Sequence, residues 1–376
     1  MAVARGGLFT CYPSRCAMSD LYAPLLLLFV CSALTSYVAT AIVRRGAQRI
    51  GLVDEPGERK LHAVATPRLG GIAIIFAFGF PLLLLAANVR AADLVTKNLS
   101  YLFAVLASGS LVIGLGVYDD LIGTNASQKF VVQFAAASIL VAFGFSFNEI
   151  SLAGQVFHLG ILGSIASVLW IVGVMNAMNF IDGMDSLATV VSITIAASFT
   201  IIALLRNDVF SLVIMAALTG SLVGFYPWNK PPARIFMGDT GALFIGLLLA
   251  AGSIARPSKS PTALLLGGPM LALALPVIDT LIVMKQRFGG EAATSLGSRV
   301  SRVFTADRRH IHHILVARYG SPGKAIAGIW LVTLLFAASA VMTVIQDTKI
   351  IGYSTAALAL LALMVLRYLP RKKSGS

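Results

Sequence analysis

The chain has 376 residues, of which 57% are hydrophobic and 12% are charged, whereas a typical soluble protein is about 25% charged. Its mean hydropathy is +0.86. This composition excludes a soluble globular protein and a disordered chain, and 3 cysteines are too few for a disulfide framework. The formal net charge of +13 fits either a nucleic-acid-binding surface or a membrane face, and only the distribution of charge distinguishes them.

Eleven apolar stretches are long enough for transmembrane helices, which need about 20 residues each. We therefore predict an all-α, polytopic integral membrane protein that forms a single domain over residues 1–376. The predicted spans are 21–43, 69–87, 99–117, 128–147, 161–178, 188–205, 209–226, 241–255, 262–285, 325–345 and 350–368. The eighth span is short, which indicates a tilted or partly re-entrant helix.

Positive charge predicts the orientation of these spans. Most of the 29 Lys and Arg residues fall in alternate connecting segments and in the C-terminal tail, which the positive-inside rule assigns to the cytoplasm. The N-terminus is then outside and the C-terminus inside. The basic excess lies next to the lipid bilayer, where it pairs with anionic lipid or substrate. No loop has the basic helix or aromatic platform of a nucleic-acid-binding protein, so we predict no nucleic-acid partner.

The polar clusters of the chain fall in the predicted cytoplasmic segments, and membrane proteins retain such residues where they are needed. The first segment, DEPGERKLHAVATPRLGG, offers Lys60 and His62 to a phosphate group. The third span ends in GVYDD, where the adjacent carboxylates of Asp119 and Asp120 repel each other unless a divalent cation or a phosphate-bound metal lies nearby. A solvated loop start is the alternative explanation of this pair.

The fifth span ends in NAMNFIDGMDSLA, in which four polar side chains recur every three residues: Asn176, Asn179, Asp182 and Asp185. If the helix continues, they lie along one side of it. If it breaks at Gly183, they converge on a tight turn. Either geometry supplies oxygen ligands for a cation and hydrogen bonds for a ribose or a base.

Two further clusters follow. In RIFMGDTGA, Asp239 lies between Gly238 and Gly241, where glycine permits close approach of the backbone to a ligand and the carboxylate can bind Mg²⁺. An N-cap aspartate is the alternative. The segment ADRRHIHHIL concentrates hydrogen-bond donors for a phosphate, since zinc would need additional cysteine or histidine ligands. These donors are Arg309, His310, His312 and His313.

In this order, the motifs ERKLH with TPRLGG, GVYDD, NAMNFIDGMDSLA, PARIFMGDTGA, LPVIDT and DRRHIHH resemble those of the polyprenyl-phosphate N-acetylhexosamine-1-phosphate transferases, glycosyltransferase family 4. The resemblance covers residues 54–313. The HIHH form is similar to the branch that acts on UDP-N-acetylglucosamine or related UDP-N-acetyl sugars, whereas the muramoyl-pentapeptide branch usually has three consecutive histidines. Ser186 and Ala242 stand where the family has glycine and serine, and either change could reshape the sugar or uridine pocket.

The resemblance implies an enzyme of the bacterial inner membrane with its active site facing the cytoplasm. Such an enzyme transfers N-acetylhexosamine-1-phosphate from a UDP-N-acetyl sugar to undecaprenyl phosphate, releases UMP, and starts a cell-envelope glycan such as O-antigen. By the same resemblance, Asp239 and Asp182 are expected to bind Mg²⁺, or Mn²⁺ as the alternative metal. Asp119, Asp120 and Asp239 are the expected catalytic residues. The expected substrate-binding residues are Asn176, Asn179, Asp182, Asp185, Lys60, His62, Arg309, His310, His312 and His313.

Several alternatives stay open at the level of sequence. The sugar can be N-acetylglucosamine, N-acetylfucosamine, N-acetylquinovosamine or N-acetylmuramoyl-pentapeptide, transfer can take one step or two, and the protein can be a monomer or a homodimer. A membrane transporter is the rival class, but transporters place ion sites near the bilayer midplane. Here the acidic residues gather at predicted cytoplasmic helix ends. An inactive, scaffolding homologue is a second rival, which the intact aspartates argue against.

Overall fold

A computed structural model describes residues 19–54, 65–86, 97–152, 155–254, 268–288 and 309–368. Lys60 and His62, two of the predicted substrate-binding residues, lie outside these ranges. The described helices are α1 (Ser19–Arg49), α2 (Gly70–Ala86), α3 (Leu99–Ile122), α4 (Ala126–Ala142), α5 (Gly160–Ile181), α6 (Leu187–Leu205), α7 (Val209–Asn229), α8 (Gly238–Ser253), α9 (Gly268–Ala272), α10 (Ala274–Phe288), α11 (Ile311–Tyr319), α12 (Pro322–Val344) and α13 (Lys349–Tyr368).

Short elements connect some of these helices. The strand β1 (Val53–Asp54) pairs antiparallel with β2 (Thr66–Pro67), and β3 (Glu149–Leu152) pairs antiparallel with β4 (Gln155–His158). A 3₁₀ turn, Gln346–Thr348, joins α12 to α13. The sequence analysis predicted no strands, because these pairs are too short to show an alternating apolar pattern.

The predicted all-α, polytopic membrane class is confirmed. Of the described helices, 7 are long and apolar enough to cross a membrane, namely α1, α3, α5, α6, α7, α12 and α13, and α2, α4 and α8 are shorter apolar helices. The predicted ninth span is described in part. Within residues 268–288 it consists of two consecutive helices, α9 and α10, in place of one continuous helix. The count of eleven spans and the sides of the termini stay predictions.

The helix α8 occupies the centre of the described bundle. It has 16 residues, most of them buried, and it packs against α2, α3 and α5. At about 1.5 Å per residue it is roughly 24 Å long, shorter than the hydrocarbon core of a bilayer. Because protein surrounds it, groups of the protein have to satisfy the backbone N–H groups of its first turn.

Glycine allows the neighbouring helices to approach the start of α8 at backbone distance. A Cβ atom on Gly71 of α2 would overlap the backbone of Thr240 and Gly241, and one on Gly116 of α3 would overlap the backbone of Asp239 and Thr240. Small residues are the usual means of close helix packing in membranes. The first turn of α8 is therefore clamped between α2 and α3.

The last helix, α13, packs at the periphery against α12 and α11. Its buried residues are Gly352, Ala359, Leu363 and Arg367, and their spacing places them on one face of the helix. Arg367 is therefore the charged end of an otherwise apolar contact stripe.

The clamp predicts that Gly71→Ala destabilises the protein by about 1–3 kcal/mol, because an added methyl group forces backbones apart. Gly79→Ala on the same helix is the matched control, since a Cβ at Gly79 has nothing within 4 Å. Thermal unfolding of both purified variants in detergent measures the difference. Equal unfolding temperatures for the two variants would contradict the clamp.

Candidate active site

A lysine joins two of the predicted catalytic carboxylates. The Nζ atom of Lys129, on the first turn of α4, donates to Oδ2 of Asp119 at 2.7 Å and to Oδ2 of Asp239 at 2.5 Å. The hydroxyl of Thr124 donates to the other oxygen of Asp119. One ammonium group thus holds together the carboxylates of Asp119 on α3 and Asp239 on α8, which are far apart in the sequence.

Asp120 points away from this pair and binds the start of α8. Its Oδ1 accepts from the backbone N–H of Asp239 at 2.9 Å, and its Oδ2 accepts from the N–H of Thr240 at 3.1 Å and from the Thr240 hydroxyl at 2.6 Å. These N–H groups lack acceptors within the helix, and a negative charge at a helix N-terminus is favourable. The two adjacent aspartates therefore avoid repulsion by diverging, one to Lys129 and one to the helix.

The glycines beside Asp239 pack against protein. Gly238 has φ +74°, and a Cβ atom there would lie 2.6 Å from a carboxylate oxygen of Asp120. Gly241 lies against Gly71 and Met237. The sequence analysis assigned both glycines to the approach of a ligand, and the structure gives a further reason for them: their missing side chains make room for the carboxylate of Asp120 and for α2.

The approach to α8 is held by backbone hydrogen bonds to the chain that enters α2. The N–H of Gly70 donates to the carbonyl of Phe236 at 2.9 Å, the N–H of Gly71 to Met237 at 2.7 Å, and the N–H of Phe236 to Pro67 at 2.8 Å. The sequence motifs TPRLGG and RIFMGD thus meet directly. These hydrogen bonds fix the chain directly before α8, and with it the position of Asp239 in the first turn of that helix.

The fifth-span motif breaks at its glycine. The helix α5 ends at Ile181, and Asp182 follows as its C-cap, so the helix breaks here. Asn176 and Asn179 still lie within the helix, however, and the four polar side chains do not all converge on the turn. Burial raises the pKa of Asp182 well above its usual value, and the nearby charges of Asp239, Asp120 and Asp185 raise it further. Asp182 therefore lies close enough to the aspartates of α3 and α8 for their charges to act on it.

The other polar residues of this motif have distinct surroundings. Asp185 accepts the backbone N–H of Ala233 at 2.8 Å, which ties the turn to the proline-rich loop before α8. The amide nitrogen of Asn176 donates to Gln133 of α4 at 2.7 Å, deeper in the bundle. The side chain of Asn179 is half-buried beside Asp182 and makes no hydrogen bond among the described residues.

The histidine segment packs onto the turn of α5. A Cβ atom on Gly183 would lie 2.7 Å from Nε2 of His312, and the rings of His312 and His313 are 4.2 Å apart. His310 and His312 are buried. Burial, and next the charges of His313 and His310, lower the pKa of His312 to about 3. His312 is therefore neutral at physiological pH, so it can serve as one of the predicted hydrogen-bond donors for a phosphate without carrying a charge.

The predicted Mg²⁺ ligands fit a divalent cation. Asp182 makes no side-chain hydrogen bond among the described residues. Burial is the main cause of its raised pKa, and the negative charges of Asp239, Asp120 and Asp185 add to it, so a cation beside this carboxylate would be favourable. Lys129 is the counter-charge of Asp119 and Asp239. The described residues contain no group of three or more His, Cys, Asp or Glu arranged to hold a metal. Proteins typically bind Mg²⁺ through one or two carboxylates together with substrate phosphates.

Sequence reasoning missed three residues of this site. Lys129 counted only as one of the basic residues on the cytoplasmic side, yet a lone cation at the start of an apolar span, ten positions after Asp119, was an available signal. Gln133 and Asn229 gave no signal. Asn229 is buried, accepts from the backbone N–H of Ser186 at 3.1 Å and donates to the carbonyl of Ile235 at 3.0 Å, which joins the α5 turn to the loop before α8.

The chain is similar to known proteins over most of its length. Residues 102–256, which contain Asp119, Lys129, Asp182 and Asp239, match the model of glycosyl transferase family 4. A Bacillus subtilis protein named "Probable undecaprenyl-phosphate N-acetylglucosaminyl 1-phosphate transferase" is 32% identical over 84% of this chain and 83% of its own. The chain belongs to this family, the polyprenyl-phosphate N-acetylhexosamine-1-phosphate transferases. The predicted family is thus confirmed.

Other relatives in this transferase family carry different names. The decaprenyl-phosphate N-acetylglucosaminephosphotransferase of Mycobacterium tuberculosis is 32% identical over 91% of this chain and 87% of its own. The phospho-N-acetylmuramoyl-pentapeptide-transferase of Sulfurimonas denitrificans is 32% identical over 76% of this chain and 83% of its own. The transferase family thus includes relatives named for more than one sugar.

The two departures of this transferase from the family pattern are both buried. Ala242 is 1% exposed on α8 and Ser186 is 2% exposed. Ser186 has φ +61°, a left-handed conformation that costs a residue with a side chain about 1–2 kcal/mol and costs glycine little. Glycine, which the resemblance to the family leads us to expect at position 186, would adopt this conformation at little cost.

Ser186→Gly is expected to stabilise the transferase by about 1 kcal/mol, because it relieves the left-handed strain. Ser186→Ala is the matched control, since it also removes the hydroxyl but keeps Cβ and its strain. Thermal unfolding measures both variants against the parent. A gain in the alanine variant equal to that in the glycine variant would show that the hydroxyl is the cause and that backbone strain is not.

The lowered pKa of His312 predicts a pH dependence of stability. Between about pH 6.5 and the folded-state pKa of about 3, the unfolded chain binds a proton at His312 that the folded chain excludes. The neutral His312 ring therefore contributes to the free energy of unfolding in full above pH 6.5, and this contribution is lost as the pH falls from 6.5 towards 3. His312→Phe should therefore show a smaller loss of unfolding temperature between pH 7.5 and 4.5. Parallel curves for parent and variant would contradict the neutral, buried ring.

Proposed function

We propose that this transferase moves N-acetylglucosamine-1-phosphate from UDP-N-acetylglucosamine to undecaprenyl phosphate, yielding undecaprenyl diphosphate N-acetylglucosamine and UMP. The observation that carries the proposal is the lysine-bridged pair Asp119 and Asp239, with Asp182 and the histidine segment gathered at the same end of the bundle. Carboxylates for a metal and cationic or neutral donors for phosphate are the groups that phosphoryl transfer needs. The product would start a cell-envelope glycan such as O-antigen.

In the proposed reaction an oxygen of the lipid phosphate attacks the phosphorus atom that bears the sugar. The new P–O bond forms as the bond from that phosphorus to the bridging oxygen breaks, and the bridging oxygen leaves on UMP. The acceptor needs little proton abstraction, because a phosphate monoester has a second pKa near 6 and is largely deprotonated at neutral pH. Positioning and charge stabilisation therefore carry most of the catalysis.

Asp239 and Asp182 are the residues that would hold Mg²⁺, which supplies neutralisation of the diphosphate and of the charge that develops on UMP. Lys129 keeps Asp239 beside Asp119, which would fix the distance between the UDP-sugar at Asp239 and the lipid phosphate at Asp119. Asp120 would act through the helix: it holds the first turn of α8, and with it the backbone of Asp239. We therefore assign Asp120 a positioning role within the catalytic group.

The donor would lie between the α5 turn and the histidine segment. Asn179 and Asp185 are assigned to the uridine side, and the segment with Arg309, His310, His312 and His313 to the diphosphate. Because His312 is neutral, it would donate a hydrogen bond from the N–H of its ring and contribute no charge. An attack by an aspartate to form a phospho-enzyme is the two-step alternative.

N-acetylglucosamine leads as the sugar for two reasons. The HIHH form of the histidine motif is similar to that branch, and relatives from Bacillus and Mycobacterium are named for N-acetylglucosamine. N-acetylfucosamine, N-acetylquinovosamine and N-acetylmuramoyl-pentapeptide are the other donors to compare. The last is the substrate in the name of the Sulfurimonas relative.

The test is UMP release by purified protein with undecaprenyl phosphate and Mg²⁺, across a panel of these UDP-sugars. We expect release that requires both lipid and metal, with UDP-N-acetylglucosamine as the best donor. Asp119→Asn and Asp239→Asn should each lower kcat about 100-fold or more, because they remove charge at the reacting groups. Asp347→Asn, in the 3₁₀ turn before α13, is the control and should leave kcat unchanged.

Two outcomes would overturn the assignments. Parent-like turnover by Asp119→Asn or Asp239→Asn would remove that residue from the catalytic group. No UMP release by folded parent protein with any donor of the panel would refute the proposed reaction and favour an inactive, scaffolding homologue.

A further inference from the structure

The histidine segment is anchored to a residue at the far end of the chain. Arg367, in the last turn of α13, is 4% exposed and donates from Nη1 to Oδ1 of Asp279 in α10. Its Nη2 donates to the backbone carbonyl of Arg309 at 3.0 Å. A single guanidinium group thus holds both the carboxylate of α10 and the chain that leads into HIHH.

Asp279 in turn contacts both the backbone and a ring of the histidine segment. Its Oδ1 also accepts from the backbone N–H of Ile311 at 3.0 Å, and its Oδ2 lies 2.8 Å from Nδ1 of His310. Because Arg367 is always charged, Asp279 is held as a carboxylate and can only accept. Nδ1 of His310 must therefore carry the proton, and Nε2 is the ring nitrogen left for a ligand.

Among the residues that the structure describes, no group binds that second nitrogen. Nε2 of His310 is buried and has no hydrogen-bond partner among the described residues. The ring lies between Phe180, at 5.3 Å between centroids, and His312, at 5.9 Å, beside the α5 turn that carries Asp182. A buried nitrogen without a partner is costly unless it serves a ligand.

We infer that Arg367 is a positioning residue for His310: through Asp279 it selects the Nδ1-protonated ring and fixes the direction of Nε2 towards the substrate diphosphate. The inference rests on the proposed function for the identity of that ligand. It assigns the last helix, α13, a part in the active site although α13 lies beyond every sequence motif. The buried stripe Gly352, Ala359, Leu363 and Arg367 seats the helix for that role.

Asp279→Asn tests the tautomer directly and should preserve packing. Because two donors, Arg367 and Ile311, face Oδ1, the amide oxygen will take that position, and the amide NH₂ will face His310. Nδ1 must then accept, so the proton moves to Nε2. ¹⁵N NMR of protein labelled only at histidine, with His310→Gln to assign the signal, should report Nδ1–H in the parent and Nε2–H in the variant.

The kinetic consequence should be a fall in kcat of about 10- to 100-fold in Asp279→Asn, the usual range for groups that orient a functional ligand. Arg367→Met should show a similar fall, and Arg367→Lys should recover most of it, because an ammonium can still pair with Asp279. Ser339→Ala is the matched control: it removes the 2.7 Å hydrogen bond from α12 to the carbonyl of Gly352, which loosens α13 at its other end and should leave kcat unchanged.

The outcomes separate the two proposals. If Arg367→Met and Ser339→Ala lose unfolding temperature and kcat in the same proportion, α13 is merely structural and the inference is wrong. If Arg367→Met does not fold, Asp279→Asn decides, and parent-like kcat in that variant overturns the inference. The NMR result does not depend on turnover, so a Nδ1–H signal with no UMP release would refute the proposed function alone, and a Nε2–H signal in the parent would refute this inference.

Discussion

The three hydrogen bonds from the first turn of α8 to the carboxylate of Asp120 are the interaction on which the rest of the site depends. A buried helix start needs acceptors for its free N–H groups, and here one carboxylate supplies them. That contact requires Gly238, whose φ of +74° and missing Cβ make room for the carboxylate. It also places Asp239 where Lys129 can join it to Asp119.

Charge accounts for the remaining geometry. Asp119, Asp120, Asp182 and Asp239 come from three helices and would repel one another in an apolar bundle. The structure distributes them among different partners: Lys129 for Asp119 and Asp239, and the helix start for Asp120. Asp182 is left without such a partner among the described residues, and its pKa is raised first by burial and then by the negative charges of Asp239, Asp120 and Asp185. Such a carboxylate is suited to a divalent cation brought in with a diphosphate substrate.

The cost of burying charge also governs the histidine segment, where the charge would be positive. The rings of His310 and His312 are buried, so charge on them is disfavoured, and burial lowers the pKa of His312. His310 is the ring beside a fixed carboxylate, and that carboxylate is itself held by Arg367. Arg367, Asp279 and His310 thus form a line of partners from different parts of the bundle, whereas Nε2 of His310 and both ring nitrogens of His312 have no hydrogen-bond partner among the described residues. Buried polar nitrogens without a partner are costly unless a ligand satisfies them.

The sequence by itself determined the membrane class, most helix positions, and the membership of Asp119, Asp182, Asp239 and the histidines in one cluster. It could do so because apolar length reports a spanning helix directly and because charged residues are costly in an apolar chain unless they are used. It did not separate Asp119 from Asp120, and it did not choose between the continued and the broken helix at Gly183. Only tertiary structure decided those points, together with the roles of Lys129, Gly238 and Arg367, because each depends on a contact between helices distant in sequence. Hydrophobic pattern is a property of one segment, whereas the partner of a buried charge is a property of the packed bundle.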